Sequence, residues 1–347
     1  MKKIIITLSL TAMLVFSLQA QTINYSVYEE GFEDFAAEVA KSLPFNAAIG
    51  LNWSDAYIGS FPHFGVGLTV GATSVPYDAM KPVFDVLSAD LGSELDFLET
   101  WGAPFPAYSL EARVGGLILP FDAGIKLGIL PDDAKVLMPF NMDYLMLGAD
   151  VRYRVLKSRG PLPEISFGVG YTMLNGGVTL PGILGGDQLI DLNVDGDASG
   201  QNDWVKLTDP DLNFNWQSHV IDFKIQASKK LLVITPHVGL GLAYGTSSAG
   251  GGAETDVWYS TDNGGSYPTK ITQAQIDAVI AAFEALGQTP PDLTTGGLLV
   301  ESDTKGWAMR AFGGLSLNLL LLKFDLSAMY NFTSSSLGVA LNTRIQL

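Results

Sequence analysis

The chain contains no cysteine. That excludes disulfide staples, thiolate metal sites and thiol nucleophiles, and it removes the acylated cysteine of a lipoprotein. Charge is also scarce. Only 16% of residues are charged, where an ordinary globular chain has about 25%. The charges that exist are mostly acidic, and the net value of −16 excludes the basic footprint that nucleic-acid binding needs. Past Ala20 there is no apolar run near the roughly 20 residues of a membrane-crossing helix. The three histidines, His63, His219 and His237, lie too far apart to form a metal spacing. No Gly-x-Ser-x-Gly, phosphate loop or paired-carboxylate motif is present, so nothing in the sequence points to an enzyme.

What is present is apolar and glycine-rich. Mean hydropathy is +0.24 and there are 38 glycines. Lys2 and Lys3, the apolar stretch from Ile4 to Leu18 and the small Ala20 read as an export signal over residues 1–20. A chain this apolar without a helical span has one membrane solution, a closed sheet that satisfies its backbone groups between strands.

The pattern agrees with that solution. From about Phe45 onward, segments of about ten residues alternate with period 2. Leu145, Leu147, Ala149, Val151 and Tyr153 share one face; Asp150, Arg152 and Arg154 share the other. The same split separates Phe121, Ala123, Ile125 and Leu127 from Asp122 and Lys126, and Ile221, Phe223 and Ile225 from Asp222 and Lys224. Every charge in these segments sits on the polar face. The expected fold is therefore an all-β, antiparallel transmembrane β-barrel occupying residues 45–347. About eleven strand candidates, with Phe45–Trp53 the weakest, and an even-number rule predict about 10 to 14 strands, centred on 12. The expected lumen residues include Arg113, Asp150, Arg152, Arg154, Asp222, Lys224, His237, Arg310 and Arg344, with Glu111, Asp122, Lys126, Lys323 and Asp325 on the same face. They read either as ion pairs that fill the barrel or as a selectivity lining.

Connections alternate between tight basic turns, such as Lys157–Gly160 and Ser228–Lys230, and long acidic stretches around 76–106, 175–212 and 246–305. Tyr171, Trp216, Tyr244, Trp307 and Tyr330 gather where strands meet the long stretches, as an interfacial girdle should. Three helical patterns interrupt the strands. Residues 21–44 hold an amphipathic segment with Phe32, Phe35, Val39 and Leu43 on one stripe, ended by Pro44, which reads as a lumen plug or a rim helix. Gly168, Gly170, Gly239 and Gly241 would leave room for such a plug. Outer-loop helices are expected over Asp78–Thr100 and over Thr272–Leu286, the latter opened by a Thr272/Gln275 capping box. Asp191, Asn193, Asp195 and Asp197 around Gly196 match the start of a calcium loop, with no glutamate at its twelfth position.

An export signal, a short N-terminal helix, helical outer loops and a strand reaching Leu347 together resemble the FadL-type long-chain fatty-acid transporters. The resemblance covers the architecture of the mature chain and rests on no specific motif. It implies an outer-membrane channel or carrier that passes small hydrophobic or amphipathic solutes through a plugged lumen, with membrane lipid as its surroundings. The other reading of the same features is a closed barrel whose acidic loops meet an outside partner.

Overall fold

The computed structural model describes residues 25–59, 61, 63–78, 100–116, 120–130, 141–181, 186–191, 204–209, 211–260, 266–285, 290 and 293–347. Ten strands close into one antiparallel barrel. They are β1 (His63–Val75), β2 (Ala103–Gly115), β3 (Phe121–Ile129), β4 (Asn141–Leu156), β5 (Glu164–Leu180), β8 (Asp211–Ser228), β9 (Ile234–Glu254), β13 (Gly297–Leu319), β14 (Leu322–Asn331) and β15 (Ser336–Gln346). Each pairs with its neighbour in sequence, β15 pairs back onto β1, and β9 spans to β13 in an unbroken register from Ile234↔Leu317 to Glu254↔Gly297. Ten strands among the described residues fall at the lower edge of the expected 10 to 14, two below the centre of 12.

The period-2 pattern maps onto two faces. Along β9 the residues from Ile234 to Tyr244 alternate out and in without a break. Outward-facing Leu147, Phe167, Leu240 and Leu326 are exposed, while Asp150 and Arg344 on the opposite face are buried. Eleven alternating residues on a tilted strand give an apolar band about 25 Å tall. Among the described residues this band carries no outward charge. Tyr171, Tyr244, Trp307 and Tyr330 are exposed along one margin of it, whereas Trp216, expected with them, falls on the opposite parity of β8 and is buried facing inward. Beyond that margin β8, β9 and β13 continue with outward polar residues such as Asn215, Gln217, Glu301, Asp303 and Lys305. The stretches read as long loops are thus partly strand.

A second, four-stranded sheet lies within those long connections, ordered β11 (Thr269–Lys270), β10 (Val257–Ser260), β7 (Trp204–Leu207) and β6 (Gln188–Asp191). Helix α2 (Gln273–Ala285) follows it, and short β12 (Leu293–Thr294) leads into β13. Thr272 and Gln275 exchange the two bonds of a capping box, Thr272 N donating to Gln275 Oε1 at 2.9 Å and Gln275 N to Thr272 Oγ1 at 3.4 Å. The helix expected over Asp78–Thr100 falls almost wholly outside the described residues.

Helix α1 runs from Tyr25 to Ala47, one turn past the Pro44 expected to end it. Proline costs a helical hydrogen bond, and burial of Phe45 and Ala47 to 0% exposure offsets that loss and holds the turn in place. Residues 48–59 after it form no strand. The candidate strand Phe45–Trp53 is therefore not part of the wall, and it accounts for the odd strand in the count.

Candidate functional site

The lumen is filled by α1 and the segment after it, and the wall they meet is divided by height. Toward the long connections the large inward residues are apolar: Met142, Met146, Leu174, Trp216, Val220 and Met329 are buried, among small polar neighbours such as Thr73, Ser218 and Ser247. Val39, Ala40, Leu43 and Phe45 of α1 pack into one cluster with them. Phe35 meets Phe214 with ring centroids 4.8 Å apart, and Phe32 is buried. The stripe of Phe32, Phe35, Val39 and Leu43 thus lies against the outer half of the lumen. One polar side chain ties this part to the wall: Asn46 Nδ2 donates to Thr73 Oγ1 and to Phe105 O, both at 3.0 Å. Thr73 and Phe105 sit near the long-connection ends of β1 and β2, so the amino end of α1 points to that side.

Toward the short turns the wall is charged and the inner segment is held by polar bonds. Lys126 Nζ donates to Ala47 O at 2.6 Å and Ile49 O at 2.7 Å, placing a cation at the carbonyl end of α1. Lys224 Nζ donates to Leu51 O at 2.9 Å and pairs with Asp150 at 2.8 Å. Arg113 pairs with Asp122 at 2.5 Å and with Asp150 at 2.6 Å, and Arg152 pairs with Asp122 at 2.6 Å. Trp53 Nε1 donates to Glu111 Oε2 at 2.6 Å, and the guanidinium carbons of Arg113 and Arg344 stand 5.5 and 4.9 Å from its ring. Asp55 accepts from Arg344 Nη2 at 2.7 Å and from Gln346 Nε2 at 2.8 Å; Arg344 also pairs with Asp325. Below them Arg154 donates to Ile58 O, and Phe61 N donates to Gly116 O at 3.0 Å just before the chain enters β1.

Such pairs persist away from water because the charges are matched and most of their hydrogen-bonding atoms have partners, Arg113 Nε and Arg310 Nε excepted. Arg310 and Asp222 form a separate two-bond pair at 2.7 and 2.9 Å. His237 stands apart from the inner segment, its Nε2 3.1 Å from Ser327 Oγ. The cavity that reaches Ser327 and Trp53 has a volume of about 10 Å³, room for about one water. Gln226 Nε2 also donates to Trp53 O at 2.6 Å, and Ala56 N donates to Ser228 Oγ at 2.8 Å; of the four residues Gln226, Ser228, Trp53 and Asp55, none was singled out from the sequence as holding the inner segment. Gln226 and Ser228 do sit on the polar face of β8, but Trp53 and Asp55 lie in a stretch without periodicity.

A groove of about 450 Å³ opens where β5, β8, β9 and β13 pass the aromatic margin, lined by Trp216, Gly176, Ala249, Gly250 and Val300 among others. Of the expected calcium loop, Asp191 ends β6, while Asn193, Asp195 and Asp197 lie outside the described residues.

No known family description matches the chain, and no curated protein matches it. Among solved structures it is similar to the translocator domain of the autotransporter NalP from Neisseria meningitidis, at 8% identity over 92% of this chain and 98% of that one, with a TM-score of 0.32. It is also similar to the toluene transporter TbuX of Ralstonia pickettii, at 10% identity over 96% and 100% of the two chains and a TM-score of 0.24. The toluene transporter TodX of Pseudomonas putida gives 8% identity over 96% and 98% and a TM-score of 0.24. At such scores no property passes from those proteins to this one.

Proposed function

We propose that this chain is an outer-membrane barrel that takes small hydrophobic or amphipathic solutes, such as fatty acids, into the outer half of its lumen, with α1 as the displaceable plug. A charge-free apolar band about 25 Å tall, edged by exposed aromatics, supports the membrane setting. The export signal and the acidic long connections support the outer membrane, with those connections outside.

The observation that carries the reading is the division of the lumen by height. A water-filled pore needs a polar lining throughout. Here the outer half, above the Arg310–Asp222 pair, is lined by Met142, Met146, Leu174, Trp216 and Val220, and α1 packs there mainly by apolar contact. An apolar solute can replace those contacts in kind; it could not replace the ion pairs below. The groove beside Trp216 has the size of a small-molecule site and lies where a solute would first meet this apolar surface.

The test is binding of the apolar fluorophore N-phenyl-1-naphthylamine to the barrel in lipid nanodiscs. Removing residues 21–42 takes away the competing helix, and affinity should rise at least tenfold. A second reading, a closed barrel whose loops meet an outside partner, is favoured by the 10 Å³ cavity and the dense pairing around Trp53. Unchanged binding after the deletion would select that second reading.

A further inference from the structure

The short turns should be the polar end of a membrane barrel, yet two of them are built from leucine. Residues 231–234 close the β8–β9 hairpin, with Leu231 N donating to Ile234 O at 2.7 Å and Ile234 N to Leu231 O at 2.9 Å. Residues 319–322 close β13 onto β14 in the same two-residue form. Two-residue hairpins favour Asn and Gly because a tip residue takes a positive φ. Here Leu232 has φ 53° and Leu320 has φ 54°. Their side chains are 91% and 98% exposed.

The two tips form one patch. Strands β9 and β13 are neighbours, and Asn318 N donates to Val233 O at 2.7 Å, which ties the turns together. Leu231, Val233, Leu319 and Leu321 are also about half exposed beside them. A strained backbone carrying a fully exposed leucine is disfavoured twice in water, and the same choice is made in both turns. An apolar medium removes the second penalty.

The patch also continues an interface already described. The apolar outward face of β9 descends through Leu240, Val238 and Ile234 into Leu232 with no polar stop. Basic residues stand at the same level: Lys157, Arg159 and Lys230 are exposed. The turns 157–163, 229–233 and 320–321 contain no acid, in a chain whose net charge is −16. Apolar tips beside exposed cations, in turns that hold no acid, are complementary to acyl chains below phosphate headgroups.

We infer that the β8–β9 and β13–β14 turns are inserted into the inner leaflet of the bilayer, with Lys157, Arg159 and Lys230 reaching phospholipid phosphates. The barrel is anchored on this side by its turns, not only by its wall. The inference rests on the membrane reading above.

The absence of native cysteine makes single-site labelling clean. Leu232→Cys and Leu320→Cys are each labelled with the polarity-sensitive dye NBD in phosphatidylethanolamine/phosphatidylglycerol vesicles containing acyl-brominated lipid. Leu240→Cys reports mid-band lipid contact and Glu301→Cys reports water. Both turn sites should emit to the blue of the Glu301→Cys site and be quenched by bromolipid at least twofold, as the Leu240→Cys site is. Quenching at 240 without quenching at 232 and 320 overturns the inference and leaves the membrane reading standing. No quenching at 240 sinks the membrane reading itself. Turn sites open to an impermeant maleimide in vesicles but shielded in native outer membranes would overturn lipid in favour of a protein partner.

Discussion

Trp53 joins the inner segment to several parts of the lumen wall. It bonds Glu111, lies beneath two guanidinium groups, and sits against Gly65, where a Cβ would come 2.7 Å from its ring. Trp53→Ala should destabilise the barrel by about 3–5 kcal/mol, the usual cost of emptying a large aromatic site, measured by denaturant unfolding in lipid. Gly65→Ala should also destabilise, and the double variant should lose less than the sum, because the added methyl then enters vacated space. Additive losses would separate the two sites. Glycine shows what was legible at this scale and what was not. Period 2 placed Gly239 and Gly241 on the inward face, but room for a helix is not what they supply. Cβ atoms there would strike Phe312 and Arg310 of the adjacent strand. It is Gly245, against Pro44, and Gly65, against Trp53, that let the inner chain approach. Facing is a property of the strand alone, whereas the neighbour at a given height depends on shear between strands, which no local pattern encodes.

At the scale of elements, α1 and the segment after it are held by different physics, so they should separate under deletion. Removing residues 21–42 takes away apolar packing and leaves Trp53, Asp55 and the carbonyls of Leu51 and Ile58 on their wall partners. Single-channel conductance in planar bilayers should stay near that of the parent. Removing residues 21–58 strips both parts, and conductance should rise several-fold. A large rise from the shorter deletion would show that α1 alone seals the lumen. The direction of α1 is testable separately. Its amino end points toward the long connections, so Asp34→Cys, an exposed site, should react with an impermeant maleimide on intact cells, while Lys230→Cys on the short-turn side should not. Equal protection of both would reverse the assigned sidedness. The apolar stripe of α1 was legible from spacing. The twelve residues after it were not, because a chain threaded through a lumen meets a different wall strand at almost every residue and so has no repeat. The same segment misled the strand count: Phe45 and Trp53 look like wall because they are apolar, yet both are buried within it.

For the whole molecule, the sequence carries the barrel by an asymmetry between its faces, and that asymmetry fixes the last test. Inward positions tolerate charge because each finds a partner: Asp122 has Arg113 and Arg152, and Asp222 has Arg310. Among the described residues, outward Leu240 and Leu326 face away from the lumen and its ion pairs. Leu240 and Leu326 are 58% and 63% exposed on opposite strands of the pair flanking β13. If the band lies in hydrocarbon, an arginine there has nothing to bond and must draw headgroups or water toward it. Leu240→Arg and Leu326→Arg should each cost about 2–4 kcal/mol, and the cost should shrink toward about 0–1 kcal/mol for Tyr244→Arg at the aromatic margin. The depth dependence is the decisive part. A sheet face covered by another protein layer would lose stability wherever the layer is tight, with no relation to distance from the girdle. Equal losses at positions 240 and 244, measured by urea titration in vesicles, would remove the bilayer from the account of this surface.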